Sequence, residues 1–330
     1  MHIDSSAPTR IDLAGGTYDI WPLYLFHDGA QTINAALSIR AHCRLTSRRD
    51  HRVRLVSEDT GEEVEVALPS ELDGERLPLV ARLVRHFGAR GLDVHTRSDS
   101  PVGAGIAGSS AMAVAVAGAL AAWTGRVLGE DELLMLVMNI EAQVIRVPTG
   151  VQDYRPALYG GVSAVQLGVT GVSRVALAVE PEDLEQRVVV AYTGASRQSG
   201  INNWDVMMRR INGDRIAQES FDGIRDAAAG VRLALERSQW TDLSMHLNAE
   251  WEHRKRLAPT VTTEAIDHLL ARAREAGATA GKVCGAGGGG CLFCLTEPEK
   301  RNPVADALVQ GGAQVLPFEI DRTGLTVTRT

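Results

Sequence analysis

Three glycine-rich segments hold the residues best placed to do chemistry. The middle one runs from Asp99 through Ser100, Pro101, Val102, Gly103, Ala104, Gly105, Ile106, Ala107, Gly108, Ser109 and Ser110 to Ala111, and it leads into an alanine-rich apolar stretch. A flexible loop directly before a helix suits an anion. Glycines let the backbone approach closely, free N–H groups point outward, and the helix start adds partial positive charge. Ser109 and Ser110 can cap the helix, bind a phosphate or ligate a magnesium ion. The plainer alternative is a glycine-rich turn with a serine cap. The first segment, Ala7 to Asp19, sets Arg10 and Asp19 around the tight turn Gly15-Gly16. The third, Gly281 to Cys291, contains the run Gly287 to Gly290. Such a run is entropically unfavourable, so it reads as close backbone approach to a ligand or to another loop.

Two familiar phosphate motifs fail on context. Residues 103–108 spell G-x-G-x-x-G, but a dinucleotide fold needs a buried apolar strand just before it. Here His95 to Pro101 is polar and broken by proline. Gly277 to Lys282 resembles a P-loop but is one residue short and lacks a Ser or Thr after the lysine. Lysine occurs only at Lys255, Lys282 and Lys300, so no mechanism can use one in the first three quarters of the chain.

The wider composition bounds the setting. With 330 residues, 45% of them hydrophobic, the chain can build one large core or two medium ones. A net charge of −7 argues against a broad basic face for nucleic acid. Of the four cysteines, Cys291 and Cys294 form a C-x-x-C inside an apolar run. Residues three apart on a strand face opposite sides, so we read these as buried thiols and not as metal or redox ligands. Val102 to Trp123 is nearly uncharged but weakly apolar, and reads as a buried helix instead of a membrane span. The first residues lack a signal-peptide pattern, and the expected setting is cytoplasmic, with no membrane partner.

The elements that must hold these loops mix strands and helices throughout. Residues 8–14 predict a strand entering the Gly15-Gly16 turn, and 30–47 predict further strands. Arg52–Val56 and Val64–Leu68 read as a hairpin, Leu79–Arg90 as an amphipathic helix, and Leu92–Ser98 as a strand. Helices are expected from Ser109 to Trp123 and from Glu130 to Arg146, the latter leading to a loop at Pro148-Thr149-Gly150, and a strand at Val162–Leu167. A boundary near Pro181 divides the chain into 1–182 and 183–330. Beyond it come a strand at Val188–Tyr192, mostly helix from Asn203 to Gly277, and strands at Cys291–Leu295, Val315–Glu319 and Leu325–Thr328. The class is α+β in two halves. The arginines at 40, 44, 48, 49, 52 and 54 read as a solvated hairpin face.

Together the three segments, in this order and spacing, resemble the signature motifs of the GHMP kinases (galactokinase, homoserine, mevalonate and phosphomevalonate kinases). The middle motif there is roughly P-x-G-x-G-L-x-S-S-A, and this chain has Pro101, Gly103, Gly105, Ile106, Gly108, Ser109, Ser110 and Ala111. Gly108 stands where many members have a first serine. Within the superfamily the chain is most similar to bacterial heptose-phosphate kinases. That likeness is carried by Arg10, Gly15-Gly16, Asp19, Gln152-Asp153, Tyr159-Gly160-Gly161, Tyr192-Thr193-Gly194, Arg197, Trp251, Lys255 and the run from Gly281 to Gly290. Tyr154-Arg155-Pro156 departs from it, since those kinases more often continue Asp-Gln.

The resemblance implies a two-domain fold, with a ribosomal S5 domain 2-like N-terminal half and a ferredoxin-like C-terminal half. It also implies transfer of the γ-phosphoryl of ATP, with Mg²⁺, to a hydroxyl of a small molecule. The loop from Pro101 to Ser110 would hold the nucleotide. Asp153 falls on the catalytic aspartate, and Arg10 takes the place of a lysine that some relatives pair with it, keeping Asp153 ionised. Ser109 and Glu141 fall on the magnesium ligands. Gly16, Thr17, Asp19, Gly287 and Gly288 are candidate acceptor contacts. Arg197 joins them as a phosphate contact, with a solvated loop arginine as its alternative. A sugar or sugar phosphate is the expected acceptor, phosphorylated at the anomeric position. The alternatives are a mevalonate- or homoserine-type acceptor and a non-catalytic sugar- or nucleotide-binding relative. The chain is expected to be a monomer or homodimer.

Overall fold

The computed structural model describes residues 1–196 and 201–330. Its first half is built on one long antiparallel pair, β1 (His2–Ala14) and β2 (Gln31–Ser47). The segment expected to supply several strands is a single 17-residue one. Its length lets it serve two neighbours in turn, because Gln31–Ala35 pairs with β6 (Val162–Gly168) and Ala41–Ser47 pairs with β5 (Leu92–Ser98). The β1–β2 register shifts at Pro8/Thr9, next to a residue with no N–H to give, and again at Asp12/Ala14, at the mouth of the glycine turn. The hairpin β3 (Val53–Ser57) and β4 (Glu63–Val66) extends the sheet by parallel pairing of β3 with β5. A strand absent from the sequence expectations, β7 (Gly171–Ala176), pairs with β6.

Helices α1 (Pro78–Phe87), α2 (Gly108–Thr124) and α3 (Glu130–Ile145) share one hydrophobic core with β1, β2, β3 and β5. The alanine-rich stretch is α2, buried from Ser110 to Leu120 apart from Met112. Small side chains let it sit at the centre: a Cβ at Gly118 would lie 3.0 Å from Leu325. No helix among the described residues is long and apolar enough to cross a membrane. A short helix, α4 (Tyr154–Tyr159), follows directly on Asp153 and was not foreseen.

After α5 (Pro181–Glu185) the chain lays down β8 (Val188–Tyr192), then α6 (Ile201–Ile211), α7 (Arg215–Glu236), α8 (Trp240–Leu257) and α9 (Glu264–Ala276). It then adds β9 (Ala278–Val283), β10 (Cys291–Thr296), α10 (Arg301–Gln310) and β11 (Gln314–Leu316). This second sheet is antiparallel, in the order β11-β8-β10-β9, a ferredoxin-like arrangement. Cys291 and Cys294 do face opposite sides of β10, each in a different apolar cluster, and both are buried.

Two expectations need correction. The last strand, β12 (Thr326–Arg329), leaves the second half and pairs antiparallel with β1, so a contiguous 183–330 unit does not hold. Arg40 is not a solvated hairpin residue. It is half-buried and ties β2 to the closing segment through Asp321, the Ser6 carbonyl at 2.9 Å and the Gly324 carbonyl. Arg48 is half-buried as well and reaches Asp93 at 2.7 Å, whereas Arg44 with Asp4 and Arg54 with Glu63 pair nearer the surface.

Candidate active site

The middle loop owes its shape to neighbours that take its carbonyls. Cys291 N–H donates to the Ala104 carbonyl at 2.6 Å, Arg10 Nη1 to that of Gly105 at 3.2 Å, and Arg10 N–H to that of Ile106 at 3.0 Å. With its carbonyls turned inward, the loop presents its other edge. The N–H groups of Gly105, Ile106 and Ala107 meet no acceptor among the described residues. Gly103 and Gly105 have φ of 70° and 74°, which only glycine adopts freely, and Ala107 enters α2 at φ 61°. The outcome is a ring of unpaired N–H groups at the start of a 17-residue helix, a ready anion site.

The third glycine run is explained mainly by loop-on-loop contact. A Cβ at Gly290 would stand 2.6 Å from the Ala104 carbonyl, and one at Gly287 would overlap the Val261 carbonyl. Gly288 N–H also donates to Val261, at 3.0 Å. Gly287 and Gly288 therefore back onto the 259–261 turn, and Gly285 and Ala286 line the cleft.

Arg10, 2% exposed, uses its whole fork. Nε and Nη2 both donate to Asp153 Oδ1, at 3.0 and 2.6 Å, and Nη1 donates to the Cys284 carbonyl at 2.9 Å. The Asp153 carboxylate remains a quarter exposed, so one side is held and the other opens on the cleft. Asp19 is buried beside it. Its Oδ2 accepts from the Gln152 N–H at 2.8 Å, and its carbonyl from Val151 N–H at 3.2 Å. Gly150 has no side chain because a Cβ there would overlap the Asp19 carboxylate. Burial first, then the charge of Asp153, push the Asp19 carboxyl up to about 7, against the opposing pull of the Gln152 N–H and Arg10.

Glu141 is not an exposed helix carboxylate. It is 6% exposed and accepts from Ser110 Oγ at 2.8 Å, with Ser109 and Tyr154 as further hydroxyl partners. Burial raises its pKa while those three hydroxyls pull it back down. One carboxylate among hydroxyl oxygens is a hard-oxygen donor set. It fits Mg²⁺, which takes one or two protein oxygens and completes its shell from phosphate and water. Tyr154, the departure noted in the sequence, thus joins the Asp153 loop to α3.

The sequence reading missed a buried charge cluster behind the first turn: Asp12, Glu250, Arg254 and Lys282, none more than 2% exposed. Lys282, the lysine of the failed P-loop, is no phosphate ligand. Its Nζ donates to the Asp12 carbonyl at 3.0 Å and lies 3.3 Å from Glu250 Oε1. A signal was available: Leu243, Leu247, Glu250, Arg254 and Leu257 fall on one buried helical stripe of α8, and two charges on such a stripe need buried partners. Asp12 and Arg254 also line the cleft of Arg10, Thr17, Asp19 and Asp153. Arg197 lies outside the described residues. A larger cavity, about 580 Å³, opens among Asp4, His42, Arg44 and His95 on the first sheet and touches none of these groups.

An anion cradle, a buried carboxylate with hydroxyl partners and an arginine-held aspartate in one cleft define a phosphotransferase that acts on a hydroxyl group. The chain belongs to the GHMP kinases, matching their N-terminal domain over residues 77–161 and their C-terminal domain over 231–314. It is 29% identical to a D-glycero-alpha-D-manno-heptose 7-phosphate kinase of Campylobacter jejuni, over 98% of each chain. It is 30% identical to a mevalonate kinase of Pyrococcus horikoshii, over 72% of this chain and 69% of that one. Among solved structures, a D-glycero-D-manno-heptose 1-phosphate kinase from Bacteriodes thetaiotaomicron superposes with a TM-score of 0.81 at 26% identity, over 99% of each chain.

Proposed function

We propose that this chain transfers the γ-phosphoryl of ATP to a hydroxyl of a sugar or sugar phosphate, with a heptose 7-phosphate the first candidate and the anomeric hydroxyl the acceptor. The observation that carries the reading is the half-open Asp153 carboxylate, fixed by Arg10 and flanked by further carboxylates in one cleft. The N–H edge of residues 103–110 binds the phosphates of the nucleotide. Glu141 with the hydroxyls of Ser109 and Ser110 would hold Mg²⁺, which when bound neutralises charge on the phosphate oxygens. Asp153 accepts a hydrogen bond from the acceptor hydroxyl, orients it, and takes its proton as the new O–P bond forms. Arginine cannot donate a proton here, so Arg10 contributes charge and position.

The charge inventory favours a polyol around the reacting hydroxyl. The cleft wall carries Asp12, Asp19 and Asp153, while Arg10 and Arg254 are each already paired with carboxylates. Such a wall offers hydrogen-bond acceptors to hydroxyl donors, and an anionic group of the acceptor, whether a carboxylate or a 7-phosphate, has to lie away from it.

The test is coupled ADP release with Mg-ATP and a panel of D-glycero-D-manno-heptose, its 7-phosphate, galactose, fucose, mannose, mevalonate and homoserine, each beside Asp153→Asn. Turnover of one sugar that vanishes in the variant is the expected result. Turnover of mevalonate or homoserine alone would overturn the sugar reading.

A further inference from the structure

The cluster behind the acceptor turn joins three elements. Asp12 comes from β1, Glu250 and Arg254 from α8, and Lys282 from β9, so two cations face two anions in full burial. Buried ion clusters are poor sources of stability, because desolvation offsets their attraction and apolar side chains would serve as well. What this one fixes is geometry. Arg254 Nε donates to Glu250 Oε1 at 2.9 Å, and Nη2 donates to Asp12 Oδ2 at 3.2 Å and to the Gly16 carbonyl at 3.1 Å. Its Nη1 reaches Thr17 Oγ1 at 3.5 Å.

Those last two contacts fall where the backbone is least at ease. Thr17 has φ 76°, in the left-handed region that a β-branched residue avoids. Strain of this kind persists only where the surroundings over-determine it, and it gathers at functional sites. Gly16 has no side chain because a Cβ there would overlap Asp12 Oδ2 and lie 3.1 Å from Arg254 Nη2. Two residues further on stands Asp19, in the same cleft.

We propose that Arg254 is a positioning residue for the acceptor: through Gly16 and Thr17 it holds the Gly15–Asp19 turn, and with it Asp19, in the conformation that receives substrate. The inference rests on the reading of this cleft as the acceptor site. Among the described residues Arg254 makes no hydrogen bond or ion pair to the loop from Pro101 to Ser110, so its loss should spare the nucleotide side. A planar fork is required, since four separate groups are reached from one guanidinium and an ammonium cannot span them.

The experiment compares wild type with Arg254→Lys, which keeps the cluster neutral. With D-glycero-D-manno-heptose 7-phosphate as acceptor, KM for the sugar should rise tenfold or more. The dissociation constant for a non-hydrolysable ATP analogue should stay within twofold. A general loss of packing would instead move both. A crystal structure of the variant should find Thr17 relaxed to negative φ. Thr17→Val supplies the answer if the lysine variant fails to fold; it keeps the shape, removes the hydroxyl, and should raise acceptor KM with little change in Tm. Equal weakening of sugar and nucleotide, or an unmoved turn in the crystal, would overturn the proposal. If wild type turns over no heptose phosphate, the heptose 7-phosphate assignment fails, yet the Thr17 torsion in the Arg254→Lys crystal still decides the positioning claim.

Discussion

Arg10 and Asp153, 143 positions apart in the chain, meet through two donors on one oxygen: Nε and Nη2 of Arg10 both reach Asp153 Oδ1, at 3.0 and 2.6 Å. This leaves Oδ2 as the oxygen with no arginine on it. Replacing Asp153 by Asn keeps the size and removes the proton acceptor. We expect kcat to fall about a thousandfold, a typical loss for a general base, with nucleotide affinity unchanged by calorimetry. Arg10→Lys retains charge and loses the fork, and kcat should drop about ten- to a hundredfold.

Asp19 gives the site a titration near neutrality. Its carboxyl is pushed up to about 7 in the fold, against an ordinary value of 3.8. The folded protein therefore binds more protons than the unfolded chain between those values. Stability from this group is fully present below about pH 4 and is lost as pH rises through 7. The Tm of wild type should decline across that window relative to Asp19→Asn, and the variant should be the more stable at pH 8 by on the order of 2 kcal/mol. Acceptor KM should carry the same midpoint in wild type and none in the variant. Parallel pH profiles would refute the assignment.

Glu141→Gln should separate metal from fold. The amide can still accept from Ser110, so Tm should change little, while the Mg²⁺ concentration for half-maximal activity should rise about 10–100-fold. Tyr154→Phe, which removes one hydroxyl from the Glu141 carboxylate, should produce a smaller shift in the same titration.

Gly290→Ala tests whether the third glycine run shapes the nucleotide loop. The new methyl would press on the Ala104 carbonyl at a φ of 77°. We expect a destabilisation on the order of 2 kcal/mol and a KM for ATP raised more than that for the acceptor. An unchanged ATP KM would mean that the contact only closes the surface.

Most of what phosphate chemistry needs was legible in the sequence, because glycines, a proline and serines act through local backbone geometry. The loop from Pro101 to Ser110 opens α2 as its spacing predicts, and Glu141 faces it from α3. What stayed hidden was set by tertiary partners. Nothing local says that Gly287 packs against Val261, or that Lys282 is held by the carbonyls of β1. Strand β7, with its exposed and half-buried residues and no fully buried face, gives no clean alternation to read. The continuous β2 was obscured because its first seven residues are all buried and alternation begins only at Ser38.

The return of β12 to β1 has a consequence for how the molecule comes apart. The chain leaves its first sheet after β7, builds the second, and comes back, so Leu325 and Val327 cover Gly118 of α2. A single apolar cluster also takes Ile11 and Leu13 from the first sheet with Val190 and Phe293 from the second. Each half also has a core cluster of its own, but this shared one couples them, and we expect the two halves to melt together. A fragment ending near residue 182 would carry β1 with its outer edge unpaired, a template for aggregation where the whole chain has a seam.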